Sequence, residues 1–248
     1  NMLLMGNSFF RPYAERFSEL ALDADFLEHR DTIVMRGGVY GTPIGLWTTE
    51  DTNTEIKQIL DSGNIDILGM TWYFNENNPL SGFTEWIDYA LQNNPSIKIF
   101  VHIPPIDFPA DWQQTAEDYG YNNIRDLYGY LVSDLTHKSV IDQLRELYPS
   151  TEIFTLPTGW ATFDLVDQYE NNLLLDDISL FGSYDDSIFR DTKGHQGKIV
   201  VNTGALIWLN GLYGVNLRTN DSDTGFNTDL HTIAENIMDL HDQNYKQQ

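Results

Sequence analysis

"LLMGNSFFRPYAERF", residues 3–17, sets an apolar run directly against Gly-Asn-Ser and then against an amphipathic segment with a proline near its start. The run reads as a strand buried on both faces, the Gly-Asn-Ser as a tight turn, and the rest as a helix, with Pro12 suited to its first turn. A strand that passes at once into a helix is the repeating unit of a parallel sheet, because parallel neighbours need a crossover connection. The pattern continues down the chain. Candidate strands lie at 2–6, 32–36, 65–71, 97–103 and 152–156, and helix-like segments at 12–24, 53–61, 82–93, 122–147 and 161–174, with a late helix over 195–214. Strands of this kind separated by helices predict a three-layer α/β/α domain built on a five-stranded parallel sheet.

At 248 residues with 41% hydrophobic side chains, the chain can fill one large core, and residues 1–248 are read as a single domain. Its 37 acidic against 14 basic residues give a formal charge of -23, a field that repels phosphate backbones and argues against nucleic acid as a partner. With no cysteine, thiol catalysis, disulfides and cysteine-ligated metals are all excluded. No apolar run approaches the ~20 residues of a membrane-spanning helix. The opening residues read as a strand rather than a signal peptide, and a periplasmic or secreted setting is slightly favoured while the compartment is otherwise open. "NDSDTG" at 220–225 lacks the spacing and bidentate Glu of an EF-hand and reads as a polar turn. The six histidines are too scattered to nominate a zinc site, so no metal and no cofactor is expected.

In such a sheet, ligands gather at the carboxyl ends of the strands. Ser8 follows the first strand, Gly37 and Gly38 the second, Thr71 to Tyr73 end the third and His102 ends the fourth. Two readings of Ser8 stand together: an N-cap of the helix that follows, or a nucleophile presented at a strand-to-helix turn beside free N–H groups. A nucleophile needs a base. His29, His137, His231 and His241 lie in polar, helix-like surroundings and read as solvated surface. His195 differs, sitting in "SIFRDTKGHQGKIVV" after Asp191 and Gly194 and before an apolar helix. It reads either as the start of that helix beside a capping aspartate or as the base.

"MGNSF" at 5–9, Gly37-Gly38 after the second strand, Gly69 near the end of the third and the Asp/His turn before the late helix occur in the order of the SGNH, or GDSL-type, hydrolase superfamily, which the chain resembles over nearly its whole length. The resemblance implies a flavodoxin-like sandwich, with strand order 2-1-3-4-5, and ester hydrolysis by a Ser-His-Asp mechanism. Carried over, Ser8 is the nucleophile, His195 the general base and Asp191 its acid, with Asp186 as a second candidate for the acid. The oxyanion hole takes the N–H groups of Ser8 and of Gly38 or Gly37. Three positions depart from the pattern: Asn7 stands where an Asp is common, Thr71 takes the place of an asparagine donor, and Asp191 and His195 are one residue further apart than usual. If Thr71 is not the third donor, Asn75 or a loop N–H is next.

Trp47, Trp72, Tyr73, Trp112 and Trp160 fall in or near predicted loops, where aromatic faces line acyl pockets or stack on sugar rings, although large aromatics more often supply core. Trp72, Tyr73, His102 and Trp160 are the expected substrate contacts. The leading expectation is a hydrolase of short-chain acyl esters, such as O-acetyl groups, on a small molecule or carbohydrate. Its rivals are a noncatalytic carbohydrate-binding protein on the same fold and an esterase or thioesterase acting on lipid esters.

Overall fold

Five strands, β1 (Met2–Gly6), β2 (Asp31–Met35), β3 (Ile67–Thr71), β4 (Lys98–His102) and β5 (Ile153–Leu156), form one sheet in the order β2-β1-β3-β4-β5. Every pairing is parallel. This computed structural model describes residues 1–75 and 77–248. β1, β3, β4 and β5 are mostly apolar because both faces of the sheet are covered there, whereas in edge strand β2 only Val34 is buried. Met2 and Leu4 of β1 join Phe100 and Phe154 in one hydrophobic cluster, while Leu3 and Met5 join Leu68, Met70, Ile99 and Val101 in another. The first layer contains α1 (Arg11–Asp23), α8 (Trp160–Glu170), α9 (Lys198–Tyr213) and α10 (Leu230–Leu240). The second contains α2 (Pro43–Thr48), α3 (Glu50–Leu60), α4 (Phe83–Asn93) and the end of a long helical run over 124–147. That run is α6 (Ile124–Tyr130), a wider π-helical stretch (Leu131–Asp142) and α7 (Gln143–Leu147), and α5 (Trp112–Asp118) precedes it. The crossover from β1 to β2 passes through the first layer and that from β3 to β4 through the second, so the chain diverges between the ends of β1 and β3. The three-layer α/β/α sandwich and the strand order agree with the sequence reading.

The differences are local. The late helix begins at Lys198 rather than 195, and it is not the last, since α10 follows it. The signal for α10 was present, with Leu230, Ile233, Ala234, Ile237 and Met238 spaced to bury one face. Two three-residue strands, β6 (Ser179–Phe181) and β7 (Ser187–Phe189), pair in a second small sheet too short to show a period. Among the described residues, no helix is long and apolar enough to cross a membrane, and no group of three or more His, Asp or Glu is placed to hold a metal ion.

His29, His137 and His241 are buried, not solvated as expected. The threonine on edge strand β5 explains two of them: Thr155 Oγ1 lies 3.1 Å from His137 Nε2 and 3.1 Å from His241 Nε2. Tyr245 of the C-terminal segment stacks on His137 with ring centroids 3.7 Å apart. Local polarity concealed this clamp, which ties the end of the chain to the sheet edge. Burial lowers His137 to about 3, helped by His241 and Arg145 and opposed by Asp242. Burial likewise lowers His241 to about 4, helped by Lys246 and opposed by hydrogen bonds at Thr155 and Tyr245 and by Asp242. In the unfolded chain both would take a proton near pH ~6.5. Between that value and about 4 the unfolded state therefore binds more protons, and stability must fall as the pH falls. Thermal unfolding should lose several degrees from pH 7 to pH 4.5, and His241→Gln, which removes one titrating group from the clamp, should flatten that slope. An unchanged slope in the variant would remove the clamp as its cause.

Candidate active site

The turn after β1 is built by Asn7. Its carbonyl accepts the N–H groups of Phe10 and Arg11 at 3.1 and 3.0 Å, starting α1, and its side-chain oxygen accepts the Phe9 N–H at 2.9 Å. Helix α1 thus starts without a hydrogen bond from the Ser8 hydroxyl, and Phe10 at its N-cap position supplies no side-chain cap. The Ser8 hydroxyl points elsewhere: its Oγ lies 2.8 Å from His195 Nε2.

His195 sits on a turn made by Asp191. One carboxylate oxygen, Oδ1, accepts the N–H groups of Lys193, Gly194 and His195 at 3.0, 3.1 and 3.2 Å. The other, Oδ2, lies 2.6 Å from His195 Nδ1. Gly194, at φ +95°, supplies the left-handed step that lets the turn close across three intervening residues. The longer Asp-to-His spacing noted in the sequence is absorbed by this loop. Partial burial works to raise the Asp191 carboxyl, but the hydrogen bonds from the His195 ring and from the His195 and Gly194 N–H groups, with the charge of His195, hold it below its usual value. Phe9 stacks on the imidazole at 4.7 Å between centroids, fixing the plane of the ring. Asp186 is engaged by the Ser183 N–H and hydroxyl at 3.0 and 2.7 Å, and no bond joins it to His195.

Beside Ser8 opens a cleft of about 340 Å³. Gly38 lines it, in a 3₁₀ turn (Gly38–Gly41) whose first residue has φ +56°. Among the described residues, neither the Ser8 nor the Gly38 N–H donates to a backbone carbonyl outside the regular elements. Trp72 and Tyr73 are also in the wall. Thr71, His102 and Trp160 are not. Thr71 is fully buried, with its hydroxyl 3.3 Å from His102 Nδ1 and 3.5 Å from the Trp72 carbonyl. His102, its partner in register on β4, is also fully buried, against Phe10, Tyr13 and Trp208. Side chains alternate along a strand, so a strand-end position need not face the cleft. Trp160 packs on Tyr128 and lines a separate cavity with Arg125 and His137. Trp112 is core, meeting Phe163 in the first layer, and the half-buried Trp47 packs on Trp86 at the edge of the second cluster. The fallback donor Asn75 borders a neighbouring cavity, and its side-chain oxygen accepts the N–H groups of Asn77 and Asn78.

Sequence reasoning missed Phe9, Phe74, Leu131, Lys193 and the segment Pro104–Asp107, all part of the wall. A signal existed for the last of these, because "IPPID" directly follows the fourth strand at its carboxyl end.

No protein-family model matches the sequence, and no curated protein matches it. Among solved structures, the chain is similar to a DUF4886 family protein from Bacteroides uniformis, with TM-score 0.62 and 16% identity over 98% of this chain and 95% of that one. It is also matched to the periplasmic domain of a lipopolysaccharide acetyltransferase from Salmonella ser. Paratyphi A, with TM-score 0.39 and 11% identity over 65% of this chain and 67% of that one. The first of these shares the fold.

Gly41 ties the Gly38 turn to the Ser8 turn. A Cβ there would collide with the Arg36 carbonyl oxygen and lie 2.6 Å from that of Gly6 and 2.7 Å from Asn7 Cα, all backbone atoms that cannot rotate away. Gly41→Ala should therefore cost roughly 1–3 kcal/mol, seen as a fall of several degrees in Tm, and a crystal structure should show the 38–41 turn moved away from Ser8. Unchanged stability and geometry would show that this contact does not position the turn.

Proposed function

We propose that the protein is a serine ester hydrolase of the SGNH type. The observation that carries this reading is the continuous chain from Ser8 Oγ through both nitrogens of His195 to Asp191, at 2.8 and 2.6 Å, assembled from segments 187 positions apart and opening on a cleft. The Ser8 hydroxyl donates to His195 Nε2 and attacks the ester carbonyl as its proton passes to the imidazole. Asp191 accepts from Nδ1–H, which holds the tautomer and stabilises the imidazolium. The N–H groups of Ser8 and Gly38 face the developing oxyanion. His195 then returns the proton to the departing alcohol oxygen, leaving an acyl group on Ser8. Water attacks that acyl-enzyme as His195 takes its proton, and His195 then returns that proton to Ser8 Oγ as the carboxylic acid is released. A side-chain donor from Thr71 has no part in this scheme, because its buried hydroxyl is engaged with His102 and does not line the cleft.

Ser8→Ala and His195→Ala should each lower turnover of an activated aryl acetate by at least about a thousandfold with the fold retained, since residues that act as a unit fail together. Asp191→Asn should lose less than Asp191→Ala, because an amide oxygen can still accept the three turn N–H groups. A serine-directed phosphonate should label Ser8 in the native protein and not in His195→Ala. Full turnover in Ser8→Ala, or absence of labelling, would reject the reading and favour a noncatalytic binding role.

Thr71→Val gives a second check, on the oxyanion hole. It preserves the branched shape and removes the hydroxyl. Turnover should stay within about threefold of the native enzyme, whereas loss of an aligned donor costs ~10² or more. A hundredfold fall in kcat at constant KM would restore Thr71 to the oxyanion hole.

A further inference from the structure

The cleft holds one pair of opposite charges that the hydrolytic steps leave unused. Asp107, in the loop after β4, and Lys193, in the turn between Asp191 and His195, both line it. Lys193 Nζ lies 3.7 Å from Asp107 Oδ2, a separation at which the charges attract but a charge-assisted hydrogen bond of ~2.7–2.9 Å is not closed. Both side chains keep a solvent-facing part, at 38% and 42% exposure, so a ligand can reach them. Among the described residues no side chain hydrogen-bonds the Asp107 carboxylate, and burial raises its pKa against the opposing charges of Lys193 and His195.

The position of the pair fixes which part of an ester it meets. In the proposed mechanism the leaving oxygen must face His195 Nε2 to receive its proton. Lys193 is two residues from that imidazole and lies 5.7 Å over the ring of Phe9, the same ring that stacks on His195. The pair therefore flanks the alcohol half of the substrate. Trp72, Tyr73 and Phe74 complete this cleft with aromatic surface.

Resting on the hydrolase reading, we propose that Asp107 and Lys193 form a recognition subsite for a neutral, polyhydroxylated leaving alcohol, that is, a sugar ring. One hydroxyl donates to Asp107 and its neighbour accepts from Lys193, so two adjacent hydroxyls bridge the open ion pair. The aromatic wall takes the C–H face of the ring. A simple aliphatic alcohol would displace water from Asp107 and give it no donor in return, which is penalised. An anionic alcohol would be repelled by Asp107 and by the net charge of -23.

The test compares kcat/KM for a mono-O-acetylated methyl pentoside with that for 4-nitrophenyl acetate. In Asp107→Ala and in Lys193→Met, the ratio favouring the sugar ester should fall at least about tenfold, chiefly through KM. A ratio unchanged in both variants would overturn the subsite. So would a uronate ester improved by Asp107→Ala and weakened by Lys193→Met, which would mark an anion site. A readout independent of turnover separates this proposal from the hydrolase reading: binding of the unacetylated methyl pentoside to Ser8→Ala, followed by saturation-transfer NMR. Transfer that disappears in Ser8→Ala/Asp107→Ala supports the subsite even if the native chain hydrolyses nothing, and absence of transfer in Ser8→Ala overturns it even if aryl acetate is cleaved.

Discussion

The parallel pairing of β1 with both of its neighbours is the constraint on which the rest of the molecule depends. In that register Gly6 stands beside Met35, and Met5 beside Met70, so the turns that leave β1 and β2 emerge together at one edge of the sheet. The Gly6 carbonyl accepts the Arg36 N–H at 3.2 Å, extending the pairing one step past the strands. From this edge the chain must enter α1 on one side and the Gly38 turn on the other. A slip of one residue would exchange the two faces of β1, sending Leu3 and Met5 toward α1 and α9 and Met2 and Leu4 toward α3 and α4. Because each side chain of β1 is packed into the layer it faces, that exchange would have to refit both layers at once.

Much of this was legible in the sequence because two-sided burial leaves a mark. A strand covered on both faces carries apolar side chains in succession, as Met2–Met5 of β1 and Ile67, Leu68 and Met70 of β3 do, whereas edge strand β2 keeps the polar Asp31 and Thr32. The residues joined at Ser8, His195 and Asp191 were legible for a different reason: each lies in a short turn beside glycine at the edge where ligands bind. What stayed hidden depended on direction or on distant partners. Thr71 and His102 stand at the correct strand ends, but they face each other inside the protein. His137 and His241 have polar neighbours in sequence, and only the fold brings Thr155 and Tyr245 against them. Likewise, the charge pair of Asp107 and Lys193 comes from two loops with no pattern in common.

Electrostatics around the site shows the same division between local and distant causes. The Asp191 carboxylate is held by its own turn, through three N–H groups and the imidazole it orients. That turn is in turn held from outside, because the Lys193 carbonyl accepts the Phe108 N–H at 2.9 Å and the His195 carbonyl accepts the Arg190 N–H at 2.7 Å. Phe108 occupies the left-handed region at φ +55°, a conformation costly for an aromatic residue, with its ring half exposed. The loop after β4 and the turn carrying His195 are therefore braced against each other, and strain in the first supports the geometry of the second.

The separation of Ser8 from His195 by 187 positions also bears on biosynthesis. A chain made from its amino end presents the Ser8 turn before the imidazole and carboxylate proposed to activate it have been made. They arrive only after the whole parallel sheet has been translated, and α9, which follows them, must then dock on α1. Such long-range closure is late and slow in folding. The chemistry proposed for the cleft is thereby withheld from the nascent polypeptide on the ribosome and begins only when the two distant segments meet.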